Sequence, residues 1–402
     1  MRQIRWIRLT SIVATLWVVT CSVAARTLTV SVDPPAEFRT IQAAIDKADD
    51  GDTVVVQPGT YTGPGNTNLA FKGKAITVRS ASGPGVTIVE GASTGHGFYI
   101  RDNENGPARL EGFTVRRTIR GAIKCYSSSP PRAAAMKASA TPGRWDYTPI
   151  VISDCIIEDN LDSGILMDGH DKVTVANCTL RRNATAGLWA FMSFPTIRNC
   201  TVVENDGHGI SVTGGHIVNC TVAENTRIGV WANQATVTNS IIWNNALHEV
   251  YDPRDGASVA YCNVRGRWPG TGNFDTDPCF ADPENGDYRL RSQAGRWDSL
   301  GRRWARDEVT SPCIDAGDPR CPVGFEPFPN GGRVNVGAGG GTACASKSYF
   351  GEPPCETVIA GDINGDCRVD FTDLQILALH WLENAQTASQ SLPVPPSNGL
   401  TR

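Results

Sequence analysis

The chain has no surplus of positive charge: 37 Lys and Arg stand against 41 Asp and Glu, for a net charge of −4. Without a basic face or basic run, a nucleic-acid partner is not expected. Charge of either sign is sparse at 19% of 402 residues, while glycine is abundant at 41. That balance suits an all-β chain with many turns. Long apolar runs are also missing. Leu9 to Thr20 is mostly apolar but too short for an ordinary membrane span. It follows Arg2, Arg5 and Arg8 and precedes the small residues Val23-Ala24-Ala25, so residues 1–25 read as an export signal. The mature chain is then expected to be secreted or at the cell surface, with no transmembrane segment. Of 13 cysteines, 12 would remain after cleavage, and those outside the repeats described next are expected to pair in an oxidising compartment.

What the chain does have is a phrase repeated five times between residues 152 and 250. The copies begin ISDCIIEDN (Ile152), VANCTLRRN (Val175), IRNCTVVEN (Ile197), IVNCTVAEN (Ile217) and VTNSIIWNN (Val237). Cys155, Cys178, Cys200 and Cys220 form one column, with Ser240 fifth. Asn160, Asn183, Asn205, Asn225 and Asn245 form another. The steps are 23, 22, 20 and 20 residues, the period of a solenoid whose coils bury their faces only against one another. Leucine is almost absent from the copies, which excludes a leucine-rich repeat. Ile and Val two apart, broken by Asn and Gly, are strand signals with turn punctuation. Three short strands per coil make a parallel β-helix, with coils roughly 4.8 Å apart. In such a stack the cysteines are expected as free buried thiols, since parallel side chains point the same way. Asn suits a left-handed turn and can bond coil to coil, and the Gly column is expected to supply a second turn.

The N-terminal stretch FRTIQAAID…GDTVVVQPGTY resembles the opening of the right-handed parallel β-helix, or pectin-lyase-like, superfamily. The resemblance implies that the helix following Thr40, from Ile41 to Ala48, caps the open end of the solenoid. The β-helix is placed at 26–270, with a loop leaving it at about 129–149. Residues 271–345, with FADPENGDYRL and SPCIDAGDP, resemble the choice-of-anchor Q segment that closes secreted β-helices. There Asp277, Asp282 and Asp287 are expected to fix turns. The stretch GDINGDCRVDFTDLQILALHWL, within 355–383, resembles half of a type I dockerin. Asp362, Asn364, Asp366, Arg368 (by its carbonyl) and Asp373 then occupy positions of a calcium loop. The family's Gly is replaced by Cys367, expected to bond Cys355, and only one copy is present where dockerins pair two. That resemblance implies calcium as cofactor and a cohesin-like or cell-surface partner. Residues 384–402 are rich in Ser, Pro and Gln and read as disordered.

Alternation after each Gly sends Ile165, Leu188, Ile210 and Val230 inward. Leu166, Trp189, Ser211, Trp231 and Tyr251 then point outward, followed two residues on by Asp168, Phe191, Thr213 and Asn233. Trp189, Phe191, Trp231 and Tyr251 on one outer face suit stacking on sugar rings. The competing reading puts them beneath the 129–149 loop. The preceding turn carries Asp162, His208, Arg227 and His248. DGHGISV around His208 is similar to the GHG motif of polygalacturonases, but the acid pair that hydrolysis requires and the family's Arg-x-Lys are absent. The paired Asp and Gln motifs of pectin methylesterases are absent too. A lyase would draw on His208, Arg227 and Asp168. The expected function is a secreted protein that binds or processes polysaccharide through its aromatic face. The alternatives are a non-catalytic adhesive solenoid attached by its tail, and a lyase or hydrolase.

Overall fold

The computed structural model describes residues 24–91, 95–101, 106–127, 149–170, 172–299, 301–349 and 369–380. The chain winds as a right-handed parallel β-helix of three sheets, with ten, eight and nine parallel strands. Each coil contributes one strand to each sheet. Thus Val173–Ala176, Thr179–Arg181 and Ala186–Phe191 belong to one coil and pair with Thr196–Arg198, Thr201–Val203 and His208–Val212 of the next. Inward-facing Ile, Val and Leu of all coils form a single continuous core.

Stacked asparagines bind coil to coil. Each Nδ2 donates to the next Oδ1, from Asn160 to Asn183 (2.8 Å), to Asn205 (2.9 Å), to Asn225 (2.9 Å) and to Asn245 (2.8 Å). The same oxygens accept the backbone N–H of Asn183, Asn205 and Asn225 at 3.1 Å. At one end Thr118, in the same column, donates both its N–H and its hydroxyl to Asn160. At the other end Glu249 replaces the missing next amide, accepting from Asn245 Nδ2 at 2.6 Å and from its backbone N–H at 3.2 Å. Burial pushes the Glu249 carboxyl above its ordinary range, against the pull of the Asn245 donors.

The two asparagine columns have separate tasks. The left-handed turn before each cysteine belongs to Asp154, Asn177, Asn199, Asn219 and Asn239, with φ between 48° and 55°. The ladder asparagines leave their own turn to the preceding residue: Asp159, Arg182, Glu204, Glu224 and Asn244. These exposed neighbours offset strained backbone by pairing between coils. Arg182 bonds Asp159 at 2.8 Å, and Asn244 donates to Glu224 at 3.0 Å.

The Gly column serves differently from expectation. Gly164, Gly187, Gly209 and Gly229 are absent from the positive-φ residues. They are required because the ladder runs beside them. A Cβ on Gly209 would lie 2.5 Å from Val222 Cγ1, 2.6 Å from the Gly229 carbonyl and 2.8 Å from Asn225 Nδ2.

The cysteine column holds free, buried thiols, each donating to the carbonyl two residues earlier, as Cys178 does to Ala176 at 3.2 Å. The expected pairing of other cysteines is not seen among the described residues. Cys125, Cys279, Cys313, Cys321 and Cys344 are free. Cys313 is sealed in a side core and accepts from Asn263 Nδ2 at 3.1 Å, and Cys321 accepts from Asn239 Nδ2 at 3.6 Å, so each is held by local packing. Burial pushes the Cys125 and Cys262 thiols up to about 12, leaving them protonated and inert. Cys355 and Cys367 lie outside the described residues.

A helix spans Ile41–Lys47, with Thr40 Oγ1 accepting from Ala43 and Lys74 Nζ donating to the carbonyls of Ile45, Asp46 and Ala48. Its buried Ile41, Ala44 and Ile45 pack on Thr27–Val30 and Leu69–Ala70, which are the end strands of two sheets. After a last parallel bridge from Asn263 to Phe274, the following segment does not extend the stack. Phe280, Tyr288, Leu290, Ile314 and Val336 pack sideways on Val203, Ala223 and Ile241, forming a second core on the outside of the third sheet. Asn199 and Asn219 turn their amides outward to the carbonyls of Gly340 and Asn335. Asp277 and Asp287 accept from Cys279 and Arg289, two residues ahead, and Asp282 accepts from Asn285, so all three organise turns.

Asn205→Ala should lower unfolding free energy by about 2–4 kcal/mol, because it strands the N–H and Nδ2 donors of Asn183 in the core. Gly209→Ala should cost about 1–3 kcal/mol through overpacking. Denaturant unfolding checks both; unchanged midpoints would contradict the ladder's role.

Candidate functional site

The second sheet carries the outward aromatic residues. Pairing aligns Leu166 with Trp189, Trp189 with Ser211, Ser211 with Trp231 and Trp231 with Tyr251. The inward partners Ile165, Leu188, Ile210 and Val230 are fully buried. Trp189 is 40%, Phe191 55% and Tyr251 37% exposed; Trp231 is half-buried. The loop expected at about 129–149 lies outside the described residues, apart from Pro149.

Trp231 is fixed by its neighbours. The His208 ring meets it edge-on at 5.4 Å, and the Tyr251 ring at 5.1 Å; His248 in turn stacks on Tyr251 at 5.7 Å. Trp189 and Trp231 stand two coils apart, roughly 10 Å, with Ser211 between them. They flank a groove of about 850 Å3 whose walls include Phe191, Phe194, Thr213, Asn233, Gln234 and Arg254. Its lining is mostly apolar and aromatic with a few polar groups, the pattern of small-molecule sites in general.

Two polar atoms in this groove lack partners among the described residues. His208 Nδ1 and Asn233 Oδ1 are buried and make no hydrogen bond with them. Burial, reinforced by the nearby Arg227 charge, holds the His208 imidazole below its ordinary range, so it is neutral at pH 7. Among the described residues no carboxylate lines the groove.

His208 and Arg227 sit on adjacent coils, but Asp168 does not join them. It pairs with Phe191, in the column of Thr213, five residues further along the strand and two coils away from His208. That places it roughly 19 Å off. Asp162 accepts the N–H of Ser163 in its own turn, three coils from Arg227. The lyase trio is therefore divided by geometry.

Asp362, Asn364, Asp366 and Arg368 lie outside the described residues. Asp373 is buried at the start of the helix Phe371–His380, and its carboxylate accepts the Asp370 N–H at 2.8 Å. Among the described residues no three His, Cys, Asp or Glu side chains gather as a metal site.

Sequence reasoning missed the extension of this face toward the N-terminus. Tyr99 and Lys124 precede Leu166 in the same column, and Arg101 and Tyr126 precede Asp168 in the next. Lys124 Nζ lies 5.9 Å from the Tyr126 ring centre. The stretches FYIR and IKCY alternate like the later strands, and they would have aligned had the irregular coils been registered by strand rather than by phrase. Arg254 and Phe194 come from turns that no repeat could place.

A family model described as the right handed beta helix region matches residues 92–247. Among solved structures, pectate lyase Pel9A aligns at TM-score 0.42 with 14% identity, covering 79% of this chain and 97% of that one. The A-module of the Azotobacter vinelandii mannuronan C-5 epimerase AlgE6 aligns at 0.37 with 17% identity, over 56% and 68%. A pectin methylesterase in complex with a hexasaccharide aligns at 0.38 with 12% identity, over 62% and 93%. No curated protein matches the chain. By fold this is a right-handed parallel β-helix protein.

The His208 imidazole should titrate below 6.5 in NMR-monitored titration, and Arg227→Gln should raise its midpoint. Because the folded value is depressed, the neutral ring's contribution to stability is present above 6.5 and is lost as pH falls below it. A midpoint at or above 6.5 would contradict this environment.

Proposed function

We propose that this chain is an exported polysaccharide-binding β-helix that holds a sugar chain on its aromatic face. The exposed Trp189 and Phe191 beside the fixed Trp231 carry the reading, because solvent-facing rings of this size on one rigid sheet are normally partnered. Sugar rings stack on such faces, and the unpartnered His208 Nδ1 and Asn233 Oδ1 would meet their hydroxyls. A two-coil step between the tryptophans suits alternate units of an extended chain. Arg254 adds a positive charge at the rim for an acidic sugar.

The groove favours binding over turnover. Glycoside hydrolysis needs two carboxylates flanking the bond, and among the described residues no carboxylate lines this groove. A lyase base at His208 would lack the Asp168 partner, which is far off.

A second reading concerns the tail. On the helix Phe371–His380, Phe371 (86%), Leu374 (55%) and Leu377 (41%) form an exposed apolar stripe. Such a stripe supports attachment to a cohesin-like or cell-surface partner. The residues Asp362, Asn364, Asp366, Arg368 and Asp373 would hold calcium through oxygen donors, the set that ion prefers.

Trp189→Ala should weaken binding to polygalacturonate or alginate by about tenfold in affinity electrophoresis, in line with about 1–3 kcal/mol for losing one stacked ring. Unchanged mobility across the panel would remove the groove as the site. Calorimetric titration of the full chain with calcium should give heat that Asp373→Ala abolishes; no heat in the unaltered chain would remove the calcium reading.

A further inference from the structure

A second aromatic and charged surface lies far along the chain from the groove residues. Arg296–Asp298 and Arg303–Ala305 form an antiparallel hairpin, with Trp297 directly opposite Trp304 and their rings 5.3 Å apart at 62°. A lone two-stranded hairpin is marginal in water, so something must hold it. On one side Arg296 pairs with Asp307 at 3.2 Å and Asp287 at 3.4 Å, and Arg289 donates to the Trp297 carbonyl. That side is neutralised.

The tryptophan side is not. Lys347 Nζ sits 4.2 Å from the Trp304 ring centre, held there by its own backbone: its N–H donates to Gly295, and its carbonyl accepts from Ser292 Oγ at 2.5 Å. Arg306 follows two residues after Trp304, just past the end of the strand at Ala305. Burial and the Arg306 charge both push the Lys347 amine below its ordinary range, and no carboxylate acts on it in the opposite sense. Arg302 and Arg306 are exposed and make no ion pair among the described residues, and Arg303 reaches Asp298 only at 3.8 Å. Lys347 over Trp304 thus has the Arg306 cation for a neighbour, on a chain whose net charge is negative. Mutual repulsion without a counter-charge is a cost that an incoming anion would relieve.

We propose that Trp297, Trp304, Lys347 and Arg306 form a second contact site, which takes an acid group of an anionic glycan between the two cations while a sugar ring lies against Trp297. This rests on the reading that the chain binds polysaccharide, and it specifies acidic polymers. Arg302 and Arg303 at the hairpin turn would extend the contact to a neighbouring acid group. A long chain engaging both the groove and the hairpin would be held by avidity, and a short one would not.

The test uses the full chain in affinity electrophoresis with polygalacturonate, over a range of salt. The Arg306→Glu, Lys347→Met variant keeps the aliphatic stem on Trp304 and reverses the local charge. It should bind polygalacturonate about tenfold more weakly and lose most of its salt dependence, while retention by a neutral β-glucan stays unchanged. An unaltered thermal midpoint shows that the hairpin's fold is intact; Arg306→Gln, which packs no new charge, should show a smaller loss of the same sign. Unchanged affinity and salt slope in both variants would overturn the proposal. Trp189→Ala separates the two sites: if it weakens binding while the double variant leaves affinity and salt slope unchanged, the groove stands and the hairpin falls. If the double variant weakens binding while Trp189→Ala leaves it unchanged, the hairpin stands and the groove falls. Competition by double-stranded DNA at equal charge would also overturn it, marking a generic anion surface.

Discussion

The hydrogen bond from one asparagine amide to the next is the constraint on which this structure depends. A buried amide left unpaired is costly, so each asparagine needs its neighbour one coil away in strict register. The chain satisfies this from Thr118 to Asn245 and then ends the series with a carboxylate, Glu249, where no further amide exists. Several other choices follow from it. Glycine stands beside the ladder because a methyl group would strike it. The left-handed residue is displaced to the position before each asparagine, where Arg182 links coils by charge to Asp159 and Glu204, and Glu224 links them by accepting from Asn244.

Commitment of the interior decides where function can lie. The ladder amides, the column thiols and the inward aliphatic side chains are committed to the core, so the coil's freedom is in its outward columns. The three sheets use that freedom differently. The third is covered by the segment after residue 273, which seats Tyr288 against Glu204 and a second apolar core against Val203 and Ile241. The second sheet keeps its large rings at the surface. One flank thus strengthens the scaffold while another leaves aromatic rings exposed on a rigid sheet, with the hairpin as a separate charged outpost.

Much of this was legible in the sequence because a solenoid repeats its physics. The period gave the coils, alternation gave inward and outward columns, and composition assigned the cysteines to the core. What escaped was whatever depends on contact between dissimilar segments. The glycine's role required knowing that an asparagine lies beside it, and its turn-forming reputation pointed elsewhere. Tyr99 and Lys124 belong to coils whose loops differ in length, which hides register from a phrase-based count. The side core joins residues some 80 positions apart with no periodicity to announce it. A lyase reading groups Asp168 with His208 and Arg227, but the strand's rise and two coils separate it from His208. The cysteines of the side core follow packing rather than the pairing that an exported chain suggests.

The central claim is that ligand lies on the outward column of the second sheet while the interior stays closed. Hydroxyl-radical footprinting of the full chain, with and without saturating polygalacturonate, tests it most directly. The account predicts joint protection of Trp189, Phe191, Trp231 and Tyr251, with no change at Cys178, Cys200 or Cys220. Unaltered reactivity of those four rings under conditions where the chain binds would contradict it.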